Sequence, residues 1–234
     1  MRKKKILKVV GIIAVVLLLI IGAAIYYFYP GFVSLVFPGY TLKNSPVYKI
    51  PPEERTEYDW IVIGAREEVY NKVDYDAAYQ SIDYPMGDVD PKVGACTDVI
   101  IRALRQAGHD LQQLIHEDMK ANFELYPNRW GLTKPDPNID HRRVPNQMVF
   151  LERYGTTLPT KYNQETKDTW QPGDIVYWKM PTGRDHTGII SDGKDRKGVP
   201  LVIHNAFRTI EDNALLRWEI KGHYRYPPQN NNGN

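Results

Sequence analysis

Hydrophobic positions along the chain fall into three successive patterns. From Val9 to Phe28, twenty consecutive residues carry no charge. That is the length an α-helix needs to cross ~30 Å of hydrocarbon. Beyond residue 59 the apolar residues recur at helical spacing. Ile61, Ala65, Val69, Val73 and Ala77 predict one or two helices over 60–79. Val99, Ile100, Ala103, Leu104 and Ala107 predict a helix that opens at or near Cys96 and stops at Gly108. Leu111, Leu114, Ile115 and Met119 predict another behind Asp110 as its N-cap, and 144–154 reads as a short fourth. From Trp170 onward the pattern becomes β-branched and aromatic. Ile175–Trp178, His186–Asp192, Leu201–Ala206 and Ile220–Tyr226 predict strands joined by short polar turns, hence an antiparallel meander. Strand alternation then puts His204 and Asn205 on opposite faces.

Charge divides the chain in the same place as hydropathy. Arg2, Lys3, Lys4, Lys5 and Lys8 precede the apolar run, while Tyr26, Tyr27 and Tyr29 follow it like an aromatic interface belt. Residues 1–29 therefore read as an uncleaved signal anchor, a single transmembrane helix in the cytoplasmic membrane with the rest of the chain outside the cytoplasm. A cleaved signal peptide is the alternative, with Gly22-Ala23-Ala24 as a poor cleavage site. Residues 30–58 contain Pro30, Pro38, Pro46, Pro51 and Pro52 and read as a linker. Residues 59–228 make one domain, and 229–234 a disordered tail. The anchor holds five of the 30 Lys and Arg and none of the 28 Asp and Glu, leaving 25 − 28 = −3 for the remainder. A faintly acidic domain lacks the footprint of a nucleic-acid binder, so none is expected as a partner.

Cys96 is the one cysteine of the chain. At the first turn of a helix, unpaired N–H groups and the positive dipole end favour the thiolate that a nucleophile needs. A lone cysteine is more often a small buried hydrophobe. Export shifts that balance, because a free thiol in an oxidising compartment needs a reason. His186 opens the second strand and His204 lies on the next, which together supply an imidazole base and a group to orient it. Asn205 is a rival for the orienting role. The long segment 126–146 carries His141, Arg142 and Arg143, either to bind an acidic substrate group or to hold the loop down with its own salt bridges. His109 and His116 read as polar residues of the second predicted helix region.

Gly173-Asp174-Ile175-Val176, His186-Thr187-Gly188-Ile189-Ile190 and Val202-Ile203-His204-Asn205 resemble the sheet of NlpC-like cysteine peptidases. Those enzymes have a papain-like core and cut peptide bonds in bacterial cell walls. The resemblance implies an α+β fold with the nucleophile Cys96 opening a helix on an antiparallel sheet, His186 as base and His204 as orienter. It also implies Tyr84, twelve residues before Cys96 with Gly87 three later, as an aid to the oxyanion. More closely, 60–226 resembles a bacterial family known only as domain of unknown function 1287. That likeness rests on Gly94-Ala95-Cys96-Thr97-Asp98, on the stretch from Pro135 to Asn146, and on Gly222-His223-Tyr224-Arg225-Tyr226.

Cys96-Thr97-Asp98 departs from the peptidases' Cys-Ser-Gly. The spacings from Cys96 to the first strand, and from His186 to His204, are longer than in compact members. The expectation is a membrane-anchored cysteine hydrolase acting on an amide bond of peptidoglycan, with no metal or cofactor. One rival is an inactive wall-binding module on the same fold. A second is a metal hydrolase using His186, His204, Asp185 or His141, which no His-Glu-x-x-His spacing supports. A third is a related acyl or amide transfer.

Overall fold

The computed structural model describes residues 2–39 and 44–229; of the expected tail, residues 230–234 lie outside it. The chain is a mixed α+β structure. Its centre is a six-stranded antiparallel sheet in the order β3-β8-β4-β5-β6-β7, formed by Thr156–Thr157 (β3), Ile175–Lys179 (β4), Asp185–Lys194 (β5), Pro200–Asn205 (β6), Thr209–Asp212 (β7) and Glu219–Arg225 (β8). The first three expected strands, β4 to β6, run as a meander, but it is continued by β7, which the sequence pattern did not indicate, while the expected fourth strand, β8, lies on the other side of β4. A parallel pair stands apart from the sheet, with Asp74–Tyr75 (β1) beside Val93–Gly94 (β2).

Helices cover one face of the sheet. α3 (Glu57–Tyr70), α4 (Cys96–Gln106), α5 (Leu111–Ala121) and α6 (Val144–Tyr154) follow α1 (Arg2–Phe28) and α2 (Pro30–Val36). Apolar stripes on α3 to α6 meet Ile175, Tyr177, Ile189, Ile203 and Tyr224 in the main core. α3 and α4 approach closely because Gly64 has no side chain: a Cβ there would stand 2.8 Å from Gln106 Cβ and 2.9 Å from Ala103 Cα. Thr56 and Asp59 close a capping box at the start of α3. The helix predicted over 60–79 thus ends at Tyr70, and the remaining residues turn into β1. Gly108, with φ +91°, terminates the cysteine helix as its position suggests. The opposite face of the sheet carries a second core of Trp170, Val176, Trp178, Ile190, Val202 and Leu215.

The segment expected as a linker is docked on the domain. Val47 packs with Val62 and Ile63 of α3. Ser45 Oγ and the Val47 N–H both donate to Asp192, which also accepts from Arg66. Arg66 is 3% exposed and held between Asp192 and Glu211, so this part of the chain is tied to a buried ionic cluster. α2 lies on β7, where Ser34 Oγ accepts the Glu211 N–H at 2.8 Å.

The apolar run of α1 is exposed along its length, from Val10 to Ile21. Its described apolar stretch Val10–Ile25 spans about 24 Å at 1.5 Å per residue. Among the described residues no single helix is long and apolar enough to cross a membrane; that stretch and Pro30–Val36, bent by 106°, meet the length and composition together.

Candidate active site

Cys96 is the first residue of α4, as its sequence context predicts. The N-cap, Ala95, brings no oxygen of its own, so Asp98 in the first turn accepts the Ala95 N–H at 2.6 Å. Gly94 permits this tight entry, since a Cβ there would meet Asp98 Cβ at 3.0 Å. Asn205 Nδ2 donates to the Gly94 and Val73 carbonyls at 3.0 and 3.2 Å, tying the chain just before Cys96 to the end of β6. The thiol is 6% exposed. Burial pushes it up from 9.0 to about 12, while the backbone at Thr187, Thr97 and Cys96 itself pulls the other way. In this state the group is a thiol.

His186 and His204 are brought together, with His186 Nε2 and His204 Nδ1 3.0 Å apart sharing one proton between them. Trp218 and Trp178 enclose His186, with ring centroids 5.3 and 5.7 Å away. Burial, with Arg217 second, brings His186 down to about 4, and complete burial drives His204 well below the ordinary range. His204 Nε2 has no hydrogen-bond partner among the described residues.

Thiol and imidazoles lie on opposite faces of the sheet. Cys96 packs with Tyr177, Ile189 and Ile203. His186 pairs across β4 with Trp178 of the second core. No hydrogen bond joins Cys96 to either ring, so the expected thiol–imidazole–imidazole chain is not closed. The groups are nonetheless neighbours along β5, because Thr187, whose backbone bears on the thiol, directly follows His186. Between the two candidates for the orienting role, His204 touches His186, and Asn205 faces the cysteine loop instead.

Tyr84 is not part of this constellation. It is 37% exposed, donates to Glu117 of α5 and meets His116 edge-on at 4.9 Å. The tyrosine beside the thiol is Tyr75, aligned with Gly94 in the β1–β2 pair. Burial raises its phenol, and Cys96 is the foremost of its electrostatic neighbours. Tyr75 was invisible in the sequence because a parallel pairing of two residues per strand leaves no periodic signal.

The three expected substrate-binding residues are committed internally. Arg142 forks onto Asp98 with two contacts of 2.8 Å and donates also to the Ala78 and Asp76 carbonyls. Thr97 Oγ1 donates to the Arg142 carbonyl at 3.0 Å. Arg143 binds Asp140 at 2.7 Å and lies 3.9 Å over the Trp130 ring. His141 is 2% exposed, brought down to about 3 by burial and then by Arg142. The 126–146 segment is therefore held down by ion pairs, Arg143 to Asp140 within it, Arg142 to Asp98 of α4, and Arg129 to Asp185 of β5 at 3.4 Å, beside His186.

Of the remaining polar groups, Asp185 also pairs with Lys179, and His141 belongs to the α4–α5 side rather than to the imidazole pair. Among the described residues no group of three His, Cys, Asp or Glu gathers as a metal site would require. His223 stacks on Trp170 at 3.7 Å and bonds Asp174, which Arg225 also grips. That cluster locks β8 to the turn before β4.

The motifs around Cys96, Arg142 and His223 thus include three residues that hold one another or the sheet in place. No solved structure matches the chain. An uncharacterised protein of Escherichia coli K12, YijF, is 48% identical over 167 residues, covering 71% of this chain and 80% of that protein. The model of the domain of unknown function DUF1287 matches residues 62–226. The chain belongs to the DUF1287 family.

Proposed function

We propose that the protein is a cysteine hydrolase with a papain-like core, carried on a membrane anchor and acting outside the cytoplasm on an amide bond of peptidoglycan. One observation carries the reading: the single thiol of the sequence opens α4, where backbone groups favour the thiolate, and one of those groups belongs to Thr187, the residue after His186 of the buried imidazole pair. In the reaction, Cys96 attacks the amide carbonyl and His186 takes the thiol proton and passes it to the leaving amine. Water then releases the acyl group from Cys96. His204 orients His186, and backbone N–H groups at the start of α4 steady the oxyanion. Because His186 faces the second core, on the other side of the sheet from the thiol, the proton transfer requires the first residues of β5 to shift so that the ring reaches Cys96. The exposed apolar run of α1 and the basic residues at its start support the anchor.

A second reading, an inactive wall-binding module, draws on the buried thiol at about 12 and its missing bond to imidazole. Purified peptidoglycan incubated with the wild type, Cys96→Ala and His186→Ala separates the two, with released fragments identified by mass spectrometry. The hydrolase reading requires fragments from the wild type alone. Fragments from every variant remove Cys96 as nucleophile. Sedimentation of all three proteins with peptidoglycan, without release, establishes the binding module.

A further inference from the structure

We propose that the outward face of α2, together with Tyr29 and Phe207, seats the domain directly on the surface of a lipid bilayer. The inference rests on the anchor reading of α1 given above and goes beyond it, from tethering to orientation. α2 has two apolar sides and no charged residue. One side is used: Val33 and Ser34 are buried, and Gly31 presses so closely on β7 that a Cβ would stand 2.8 Å from Asp212 Oδ1. The other side bears Phe32, Val36 and Phe37, exposed by 48%, 43% and 60%. Across an open groove of ≈ 350 Å³ stands Phe207, 57% exposed. Asp212, Asn213 and Arg217 also line the groove, so the exposed apolar side chains stand beside polar and basic groups of the kind that suit the headgroup level of a bilayer.

Continuity with α1 identifies the occupant. Val10–Ile25 ends five residues before Pro30, and the two helices meet at 106°, which is 106 − 90 = 16° beyond a right angle. If α1 runs along the membrane normal, α2 lies nearly in the membrane plane at the point where the chain leaves the hydrocarbon. An uncharged helix with outward aromatics in that position is an interfacial element. It is enclosed by lipid on one side and β7 on the other. Phe207 also accepts the Tyr75 N–H at 3.0 Å through its carbonyl. The seat is thereby linked through Tyr75, which pairs with Gly94, to the start of the cysteine helix.

The test uses the full chain with Cys96→Ser, reconstituted in phosphatidylethanolamine–phosphatidylglycerol vesicles. Single nitroxide labels are attached at Phe37→Cys, Phe207→Cys, Leu18→Cys and the exposed Lys167→Cys. Accessibility to oxygen, which enters lipid, is compared with accessibility to a water-soluble nickel chelate. The proposal expects the oxygen-to-nickel ratio at 37 and 207 to exceed that at 167 several-fold and to approach that at 18. A lipid-like ratio at 18 with water-like ratios at 37 and 207 overturns the seat and leaves the anchor standing. A water-like ratio at 18 removes the anchor and the seat together. Protection of 37 and 207 from both reagents, with dipolar broadening, assigns the face to a second copy of the chain and also overturns the proposal.

Discussion

Removing the buried Asp98 carboxylate should destabilise the domain severely. Asp98 and Arg142 have side chains 3% and 2% exposed, so neither charge is solvated by water. In Asp98→Ala the guanidinium keeps only the Ala78 and Asp76 carbonyls. Breaking a buried pair from one side costs about 3–5 kcal/mol, because the remaining charge is left unpaired. Loss of the acceptor for the Ala95 N–H adds about 1 kcal/mol. The sum, about 4–6 kcal/mol, is a large part of the ~5–15 kcal/mol that holds a typical domain together. At about 2–4 °C per kcal/mol for a domain of this size, the midpoint should fall by roughly 10–20 °C. Chemical and thermal unfolding of the full chain in detergent, followed by circular dichroism, measures both quantities. Arg142→Met alone should cost a similar amount, and the double variant Asp98→Ala with Arg142→Met much less than the sum of the two. A loss under about 1 kcal/mol for Asp98→Ala, or strictly additive losses, would refute the pairing as the bond between α4 and the 126–146 segment.

Further outcomes follow from the same geometry. The folded thiol titrates at about 12 against an ordinary 9.0, so its contribution is fully present below the unfolded value and is lost as pH rises toward the folded one. Relative to Cys96→Ala, wild-type stability in urea should drop by about 1.4 kcal/mol per pH unit above the unfolded value; a difference that stays flat between the two proteins contradicts the burial. Under the hydrolase reading, Tyr84→Phe should leave turnover within about twofold, because Tyr84 is bonded to Glu117 away from the thiol; a loss of about tenfold or more in a peptidoglycan release assay, roughly one lost hydrogen bond, would restore Tyr84 to the site. Gly64→Ala should cost about 1–3 kcal/mol through the α3–α4 contact, and an unchanged unfolding midpoint would show that the two helices have room to part.

Local signals were legible where a periodic stripe met a clear stop. α6 occupies 144–154 as its pattern indicates, and α4 runs from Cys96 toward Gly108. The four strands of β-branched and aromatic residues were equally plain, as was the facing of His204 against Asn205, which strict alternation dictates. What the sequence hid was pairing across distance. Asp98 and Arg142 were both visible as charges, but nothing local says that one neutralises the other 44 residues away. The spacing of twelve residues singled out Tyr84, while the contact that matters brings Tyr75 to Gly94 through β1 and β2. The prolines of 30–58 break regular elements but do not prevent docking, and Ser34, Ser45 and Val47 find partners on β5 and β7 through single hydrogen bonds. β7 itself, Thr-Ile-Glu-Asp, is short and carries two acids that burial tolerates only because Arg66 and Arg217 answer them.

The most direct test of the central claim is to look for the covalent intermediate. Wild-type protein is mixed with purified peptidoglycan stem peptides, quenched in acid within the first turnovers, and its intact mass and peptide map are recorded. The account predicts an adduct equal to the acyl fragment, located on Cys96 and absent from Cys96→Ala. Turnover that proceeds without any adduct and survives Cys96→Ala would contradict it.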